Sequence, residues 1–235
     1  MQLNNLTFQH NKDSEYIFRG FCYEFESGIT TLVAKNGVGK STLIGCIINE
    51  YILNLKGKGF GMVAFDPKTT LKHISQNSDH SLLPWYNSID NLKVIASFEK
   101  RTVDLESYIS NLEQFKINPT QKIELLSGGQ KQIVNILKTL AFQPNLILMD
   151  EPFSALDLEN SIRLKKLILE WQSINKATIN LISHSIDDIL ELSDTILILD
   201  KRPVKMYKVL ENTVKNRKEN KEIILRFLDP ETSSG

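Results

Sequence analysis

The run Ala34-Lys35-Asn36-Gly37-Val38-Gly39-Lys40-Ser41-Thr42 places two glycines just ahead of Lys-Ser-Thr. Glycines allow backbone N–H groups to close around an anion, and a helix starting there adds the positive end of its dipole. Lys40 then reaches the outer phosphates of a nucleotide, and the Ser41 hydroxyl is a ligand for Mg²⁺. Such a loop usually begins with glycine, and here that place holds Ala34. Alanine is compatible if its φ is negative and no phosphate approaches its Cβ. Taken alone, the stretch also reads as an ordinary strand–helix turn. A second chemical pair is Asp150-Glu151, which closes the apolar run Leu146-Ile147-Leu148-Met149. Beside a triphosphate, one carboxylate can hold Mg²⁺ through water and the next can orient or deprotonate a hydrolytic water. The plain alternative is an Asp-Glu-Pro turn after a core strand. Third, Leu126-Ser127-Gly128-Gly129-Gln130 puts a serine and two glycines at a helix start, which is anion-receptive but also common at ordinary helix caps.

The elements that must hold these groups follow from periodicity. Ile29–Val33 reads as a buried strand entering the first loop, and Leu43–Ile48 as the helix leaving it. Leu146–Asp150 fits a parallel strand buried on both faces, with its carboxylates at the edge where α/β folds bind ligands. Residues 2–8 and 21–25 alternate like strands of a sheet with one open face, and Ser27-Gly28 turns the chain. Lys56-Gly57-Lys58-Gly59 is a flexible connection, 61–65 a short strand, and Ile74-Ser75-Gln76 ends another extended piece.

From about residue 77 to 124 strand-like runs vanish. Ile89–Phe98, Leu105–Phe115 and Ile123–Leu126 are expected as short amphipathic helices, opened by the turn Leu83-Pro84-Trp85. A helix over 129–142 stops at Pro144. Helix 158–171, strand 177–183, helix 186–192 and strand 195–200 follow. This alternation predicts a parallel sheet with helices on its faces. Residues 201–226 hold nine Lys or Arg against three Glu, which favours a solvated helical face or hairpin over an anionic-lipid contact.

With 41% hydrophobic and 24% charged residues over 235 positions, the chain has the balance of a soluble globular domain. Zero formal net charge removes any global pointer to nucleic acid. Cys22 and Cys46 sit in apolar surroundings and are expected as buried thiols of a reducing compartment. No Cys/His cluster has metal-ligand spacing, and the N-terminus lacks a signal-peptide profile. No apolar run approaches the ~18–20 residues that span a bilayer, so action at a membrane would need another chain to supply the spans.

In order and spacing, these motifs resemble those of ABC-type ATPases, over essentially residues 1–200. Ala34–Thr42 matches Walker A, Gln76 the Q-loop, and Leu126–Gln130 the signature. Leu146–Glu151 matches Walker B, Ser154-Ala155-Leu156-Asp157 the D-loop, and His184 the switch histidine. The resemblance implies an α/β P-loop NTPase with a mainly parallel sheet core, an N-terminal antiparallel β subdomain and an inserted α-helical subdomain. The whole of 1–235 is then one ATPase domain, with 1–76 and 127–235 the RecA-like core and 77–126 the helical signature part.

It further implies ATP and Mg²⁺ as cofactors, and ATP held through Asn36, Gly37, Val38, Gly39, Lys40, Ser41 and Thr42. His10 stacks on adenine, with Tyr16 as rival. Mg²⁺ falls to Ser41, Gln76 and Asp150; Glu151 is the general base, and His184 and Gln76 complete the catalytic set. Two copies would close head to tail, so Ser127, Gly128, Gly129, Gln130 and Asp157 face a nucleotide on the partner chain.

Leu83-Pro84-Trp85-Tyr86-Asn87-Ser88-Ile89-Asp90-Asn91-Leu92 is similar to the pattern in importer subunits for nitrate, sulfonate, taurine and thiamine-precursor-like solutes. In such subunits this region lies near the groove for a permease coupling helix; the alternative is a hydrophobic turn capping the insert. The chain is expected to lack the added regulatory domain of sugar-importer ATPases. The reading is a bacterial importer ATPase on the cytoplasmic face of the membrane. Its partners are a permease, an extracellular solute-binding protein and a second ATPase subunit (a homodimer), with no nucleic acid. An exporter ATPase and a soluble non-transport ABC protein are the alternatives.

Overall fold

The structure is a computed structural model that describes residues 1–11, 14–55, 60–76 and 81–229. The connection read at Lys56–Gly59 and the first residues of the helical insert, 77–80, lie outside the described residues. The chain divides into two compact units. One comprises Met1–Leu71, Leu146–Leu148 and Ala177–Gly235; the other comprises Lys72–Asn145 and Met149–Lys176.

The first unit holds an antiparallel sheet of β1 (Gln2–Phe8), β2 (Phe18–Glu24) and β4 (Val63–Ala64), in the order β2-β1-β4. In β1, Leu3 and Leu6 are both buried with Asn4 and Asn5 exposed between them, a three-residue spacing that strict alternation would not give. The register slips between those two leucines, where Asn5 takes a positive φ of 54°.

The second sheet has the order β5-β6-β7-β3-β8-β9, with β5 (Leu71–Ile74), β6 (Leu146–Asp150), β7 (Thr178–Ile182), β3 (Gly28–Val33), β8 (Thr195–Asp200) and β9 (Lys205–Glu211). β3 lies centrally, pairs parallel with β7 and β8, and is buried at all six positions. That is why its sequence is a continuous apolar and threonine run rather than an alternating one. Its start is pinned by Asp194, whose Oδ2 accepts the Ile29 N–H at 2.8 Å and fills the space a side chain at Gly28 would need. Helix α1 (Lys40–Leu55) packs Leu43, Ile44 and Ile47 into a core shared by both sheets. The basic tail becomes β9, antiparallel to β8, and α7 (Arg217–Leu228), both largely solvated. Hairpin and helix are thus both present, because β9 closes the sheet edge and α7 buries only Asn220 and Ile224.

The second unit contains α2 (Ser88–Glu99), α3 (Leu105–Gln114), α4 (Gly128–Ala141) and α5 (Leu158–Asn175). Asn87 and Asp104 cap α2 and α3 by accepting the N–H groups of Asp90 and Ser107. The buried Asn91 amide organises the turn before α2: its oxygen accepts the Leu83 N–H at 2.7 Å and its nitrogen donates to Leu83 O at 3.0 Å.

Two expectations change. Ile123–Leu125 is a single 3₁₀ turn, not an amphipathic helix, because the backbone is already extended at Leu126, with ψ of 147°, and Ser127 opens α4 as its N-cap. Ile123 donates to Tyr86 O and Glu124 to Pro84 O, which ties the segment to the turn instead of to a helix of its own. Cys22 is exposed rather than buried: it lies on the open side of β2, where its Sγ accepts the Asn5 N–H. Cys46 is half-buried, and burial pushes its thiol up to about 11.

Helix α4 is buried at every position from Gln132 to Leu140 and so must shelter polar side chains as well as apolar ones. Lys138 donates to Ser81 O, while burial and the nearby Lys72 lower its pKa from 10.5 to about 8. The folded chain therefore binds fewer protons than the unfolded chain between about pH 8 and 10.5, and stability rises with pH through that window. Denaturant unfolding at pH 7.5 and 9.5 checks this. The wild type is expected to gain on Lys138→Met as pH rises, by at most about 1.4 kcal/mol per unit. A difference that stays constant with pH counts against a buried, depressed Lys138.

Candidate functional site

The candidate residues fall in both units. His10, Ala34–Thr42 and His184 belong to the first; Gln76, Ser127–Gln130, Asp150, Glu151 and Asp157 belong to the second.

In the first unit the buried strand β3 delivers the chain to Ala34, and α1 begins six residues later at Lys40. Gly37 and Gly39 have φ of 78° and 136°, conformations that glycine reaches without strain. Gly39 is doubly constrained, since a Cβ there would sit 2.7 Å from Ile17 Cγ2 and 3.5 Å from both Phe18 Cζ and Val204 Cγ2. At Gly37 a Cβ would meet nothing within 4 Å, so that glycine serves backbone shape alone. Lys40 is buried, and its ammonium donates to Ala34 O at 2.7 Å, which holds the charge inside the loop. Asn36 and Ser41 are exposed and Thr42 is half-exposed, so their polar groups are accessible to a ligand.

Ala34 belongs to the hydrophobic core with Leu32, Val38 and Leu43, and its φ is negative. Its methyl group is therefore core packing, which explains how alanine replaces glycine at the start of the loop. His184 is exposed, two residues beyond the end of β7 and two before α6 (Ile186–Leu192). His10 is exposed just past β1, edge-on to Phe8 with centroids 5.4 Å apart. Its rival Tyr16 has the Arg19 guanidinium over its ring at 5.5 Å.

In the second unit Ser127 caps α4 in a reciprocal box: its Oγ accepts the Gln130 N–H at 3.2 Å, and the Gln130 side chain accepts the Ser127 N–H at 3.0 Å. The serine hydroxyl still has its own proton to donate, whereas the Gln130 amide oxygen is turned to the cap. The two glycines differ. A Cβ on Gly129 would lie 2.9 Å from Ala155 O, so this glycine permits close packing on the Ser154–Asp157 segment. A Cβ on Gly128 meets nothing within 4 Å, so packing within the described chain places no demand on it. Asp157 caps α5, accepting from Asn160 N at 2.9 Å and Asn160 Nδ2 at 2.7 Å, and these bonds hold its carboxyl below the usual carboxylate range.

Asp150 is the last residue of β6 and is half-buried. Glu151 follows with φ of 48°, a left-handed backbone that costs a non-glycine residue about 1 kcal/mol. Ser154 holds it there, its N–H and Oγ both donating to Glu151 O, at 3.3 and 3.0 Å. An unusual backbone fixes the direction in which this carboxylate leaves the strand. Gln76 is exposed, two residues after β5.

Sequence reasoning missed two residues. Gln132, buried at 1% exposure on α4, donates its Nε2 to Pro152 O at 3.2 Å and to Ser75 O at 3.4 Å. One amide thereby ties the backbone next to Gln76 and the backbone next to Glu151 to the helix that Ser127 starts. Arg202, in the β8–β9 connection, donates to the carbonyls of Gly37 and Val38. Both contacts join residues far apart in sequence, and no local pattern marks them.

Ala34→Gly tests the role assigned to that methyl. It is expected to lower stability by about 1 kcal/mol through lost burial and added backbone freedom, while ATP affinity stays within about twofold. Thermal unfolding and a nucleotide titration measure both, and a large gain in affinity would show that the methyl obstructs the phosphates.

A family model described as ABC transporter matches residues 23–154, more than half of the chain. The chain is 29% identical over 201 residues to the aliphatic sulfonates import ATP-binding protein SsuB of Bacillus cereus, covering 82% of this chain and 77% of that one. It is 30% identical over 191 residues to the nitrate transport protein NasD of Klebsiella oxytoca, covering 76% and 71%. Its fold matches cbiO1 of Clostridium perfringens, part of the ABC transporter complex cbiONQ, with a TM-score of 0.69 at 20% identity, over 98% of this chain and 96% of that one. The chain belongs to the ABC transporter family, as one of its ATPase cassettes.

Proposed function

We propose that this cassette is the energising subunit of an importer, hydrolysing ATP on the cytoplasmic face of a membrane to drive a separate permease. The observation that carries the import reading is the likeness to subunits named for sulfonate import and nitrate transport. Among the described residues no helix is long and apolar enough to cross a membrane, so the passage for solute falls to another chain. Trp85 and Tyr86, 60% and 37% exposed on a turn braced by Asn91, offer an apolar contact for that permease. An extracellular solute-binding protein completes the assembly.

In this reading Asn36 through Thr42 wrap the phosphates of ATP, and Lys40 exchanges Ala34 O for a phosphate oxygen. His10 lies against adenine. The hydroxyl of Ser41, the carboxylate of Asp150 and the amide oxygen of Gln76 are the all-oxygen donor set that Mg²⁺ takes, and they would hold it. When bound, such an ion would supply charge neutralisation at the phosphates. Glu151, aimed by its left-handed backbone, takes the proton of the attacking water, and His184 donates to the γ-phosphate. A second copy of the chain closes the site. Ser127 with its spare proton, the open Gly128, and Gly129, Gln130 and Asp157 face the nucleotide of the partner. The helical part at 77–126 and the core at 1–76 and 127–235 then act as separate subdomains of one ATPase domain.

Two variants test the catalytic half. Glu151→Gln is expected to retain MgATP binding, accumulate a closed dimer on size-exclusion chromatography with ATP, and lose at least about 100-fold in turnover. Near-normal turnover removes Glu151 as the base. Ser127→Arg is expected to leave nucleotide binding by the monomer intact and to stop hydrolysis, and surviving activity would mean the signature does not act in trans. For the import reading, purification of the intact membrane complex with a solute-binding protein supports it, and an efflux permease as sole membrane partner overturns it.

A further inference from the structure

The phosphate loop has a back as well as a front. The back is built by two segments remote in sequence. Ile17 and Phe18, at the entry to β2, fill the space beside the Gly39 α-carbon. The β8–β9 connection does the rest: Val204 is buried, donates its N–H to Ile17 O at 2.7 Å, and packs its Cγ2 against the same glycine. Two residues earlier, Arg202 reaches the loop itself. Its Nη2 donates to Gly37 O and its Nε to Val38 O, the latter at 3.4 Å. Among the described residues no carboxylate forms an ion pair with it.

A trans peptide points its C=O and N–H in opposite directions. A cation that draws the Val38 carbonyl toward itself therefore turns the Gly39 N–H away, toward the other side of the loop. The Gly37 carbonyl shares its peptide with the Val38 N–H, which here makes only a long bond of 3.4 Å to Lys35 O. Hydrogen bonds from a cation to both carbonyls also polarise these peptides and strengthen their N–H groups as donors.

We propose that Arg202 is a positioning residue for nucleotide binding: its guanidinium holds the Gly37 and Val38 carbonyls backward and so presents the loop N–H groups to the phosphates. Arg202 touches neither nucleotide nor reacting atoms in this scheme. The inference rests on Ala34–Thr42 being the phosphate site, and the test separates the two ideas.

The full chain is titrated with MgATP against a fluorescent trinitrophenyl-ATP probe, for the wild type, Arg202→Lys, Arg202→Gln and Lys40→Ala. Arg202→Gln keeps a hydrogen-bond donor but no charge, and is expected to weaken binding about tenfold, the scale of one charge-assisted bond. Arg202→Lys restores the charge but not the fork that spans both carbonyls, and is expected to recover part of the loss, binding about threefold more weakly than wild type and more tightly than Arg202→Gln. Neither changes the melting temperature without nucleotide, and in steady state Arg202→Gln raises KM while kcat holds. Wild-type affinity in Arg202→Gln, equal losses in the Lys and Gln variants, or a nucleotide-free melting temperature that falls with affinity each overturn the proposal. Wild-type affinity in Lys40→Ala instead overturns the phosphate-loop reading beneath it.

Discussion

The absence of a side chain at residue 39 is the constraint on which the loop depends. The volume a Cβ would occupy is already filled by Ile17, with Phe18 and Val204 behind it. Those three residues come from the entry to β2 and the β8–β9 connection, so distant parts of the chain must be in place before the loop has its shape. The buried strand β3 fixes where the loop starts and α1 fixes where it ends. Between these anchors the backbone has little freedom left. The buried Lys40, held against Ala34 O, shows the result: a charge kept inside a polar pocket of backbone rather than released to solvent.

The groups assigned to chemistry are largely the groups that start helices. Ser127 and Gln130 cap α4, Asp157 caps α5, and Ser185, next to His184, caps α6. Capping explains how these side chains are held still: each helix start gains a partner for an otherwise orphaned N–H, and the side chain gains a fixed orientation. Glu151 is held differently, by a left-handed backbone that Ser154 ties down from three residues ahead. Helix starts and one strained turn thus replace the long side-chain networks that would otherwise be needed to orient so many polar groups.

Local pattern sufficed wherever the determinant was local. The continuous apolar runs at 29–33 and 146–149 became buried strands, and the alternation at 2–8 became a half-exposed one. Ala34 looked anomalous because a motif compares letters, whereas the structure asks where the methyl points, and it points into the core. The segment Ile123–Leu126 failed as an amphipathic helix because the chain extends at Leu126 to let Ser127 cap α4, and its first N–H groups bond to Tyr86 and Pro84, contacts no periodicity contains. Gln132 and Arg202 were invisible for the same reason: each acts through backbone carbonyls of segments far away, and carbonyls carry no sequence signature.

Cys22, expected inside, lies at the surface of β2, on the antiparallel sheet, whereas Cys46 is half-buried in α1 with a thiol that resists deprotonation. The chain has no other cysteine. A thiol-directed dye at neutral pH therefore reacts faster at Cys22, on the strand that begins with the segment backing Gly39. The sequence thus already contains a preferred attachment point for a fluorophore or spin label, close in the chain to the segment that backs Gly39, and replacing Cys46 alone makes it exclusive.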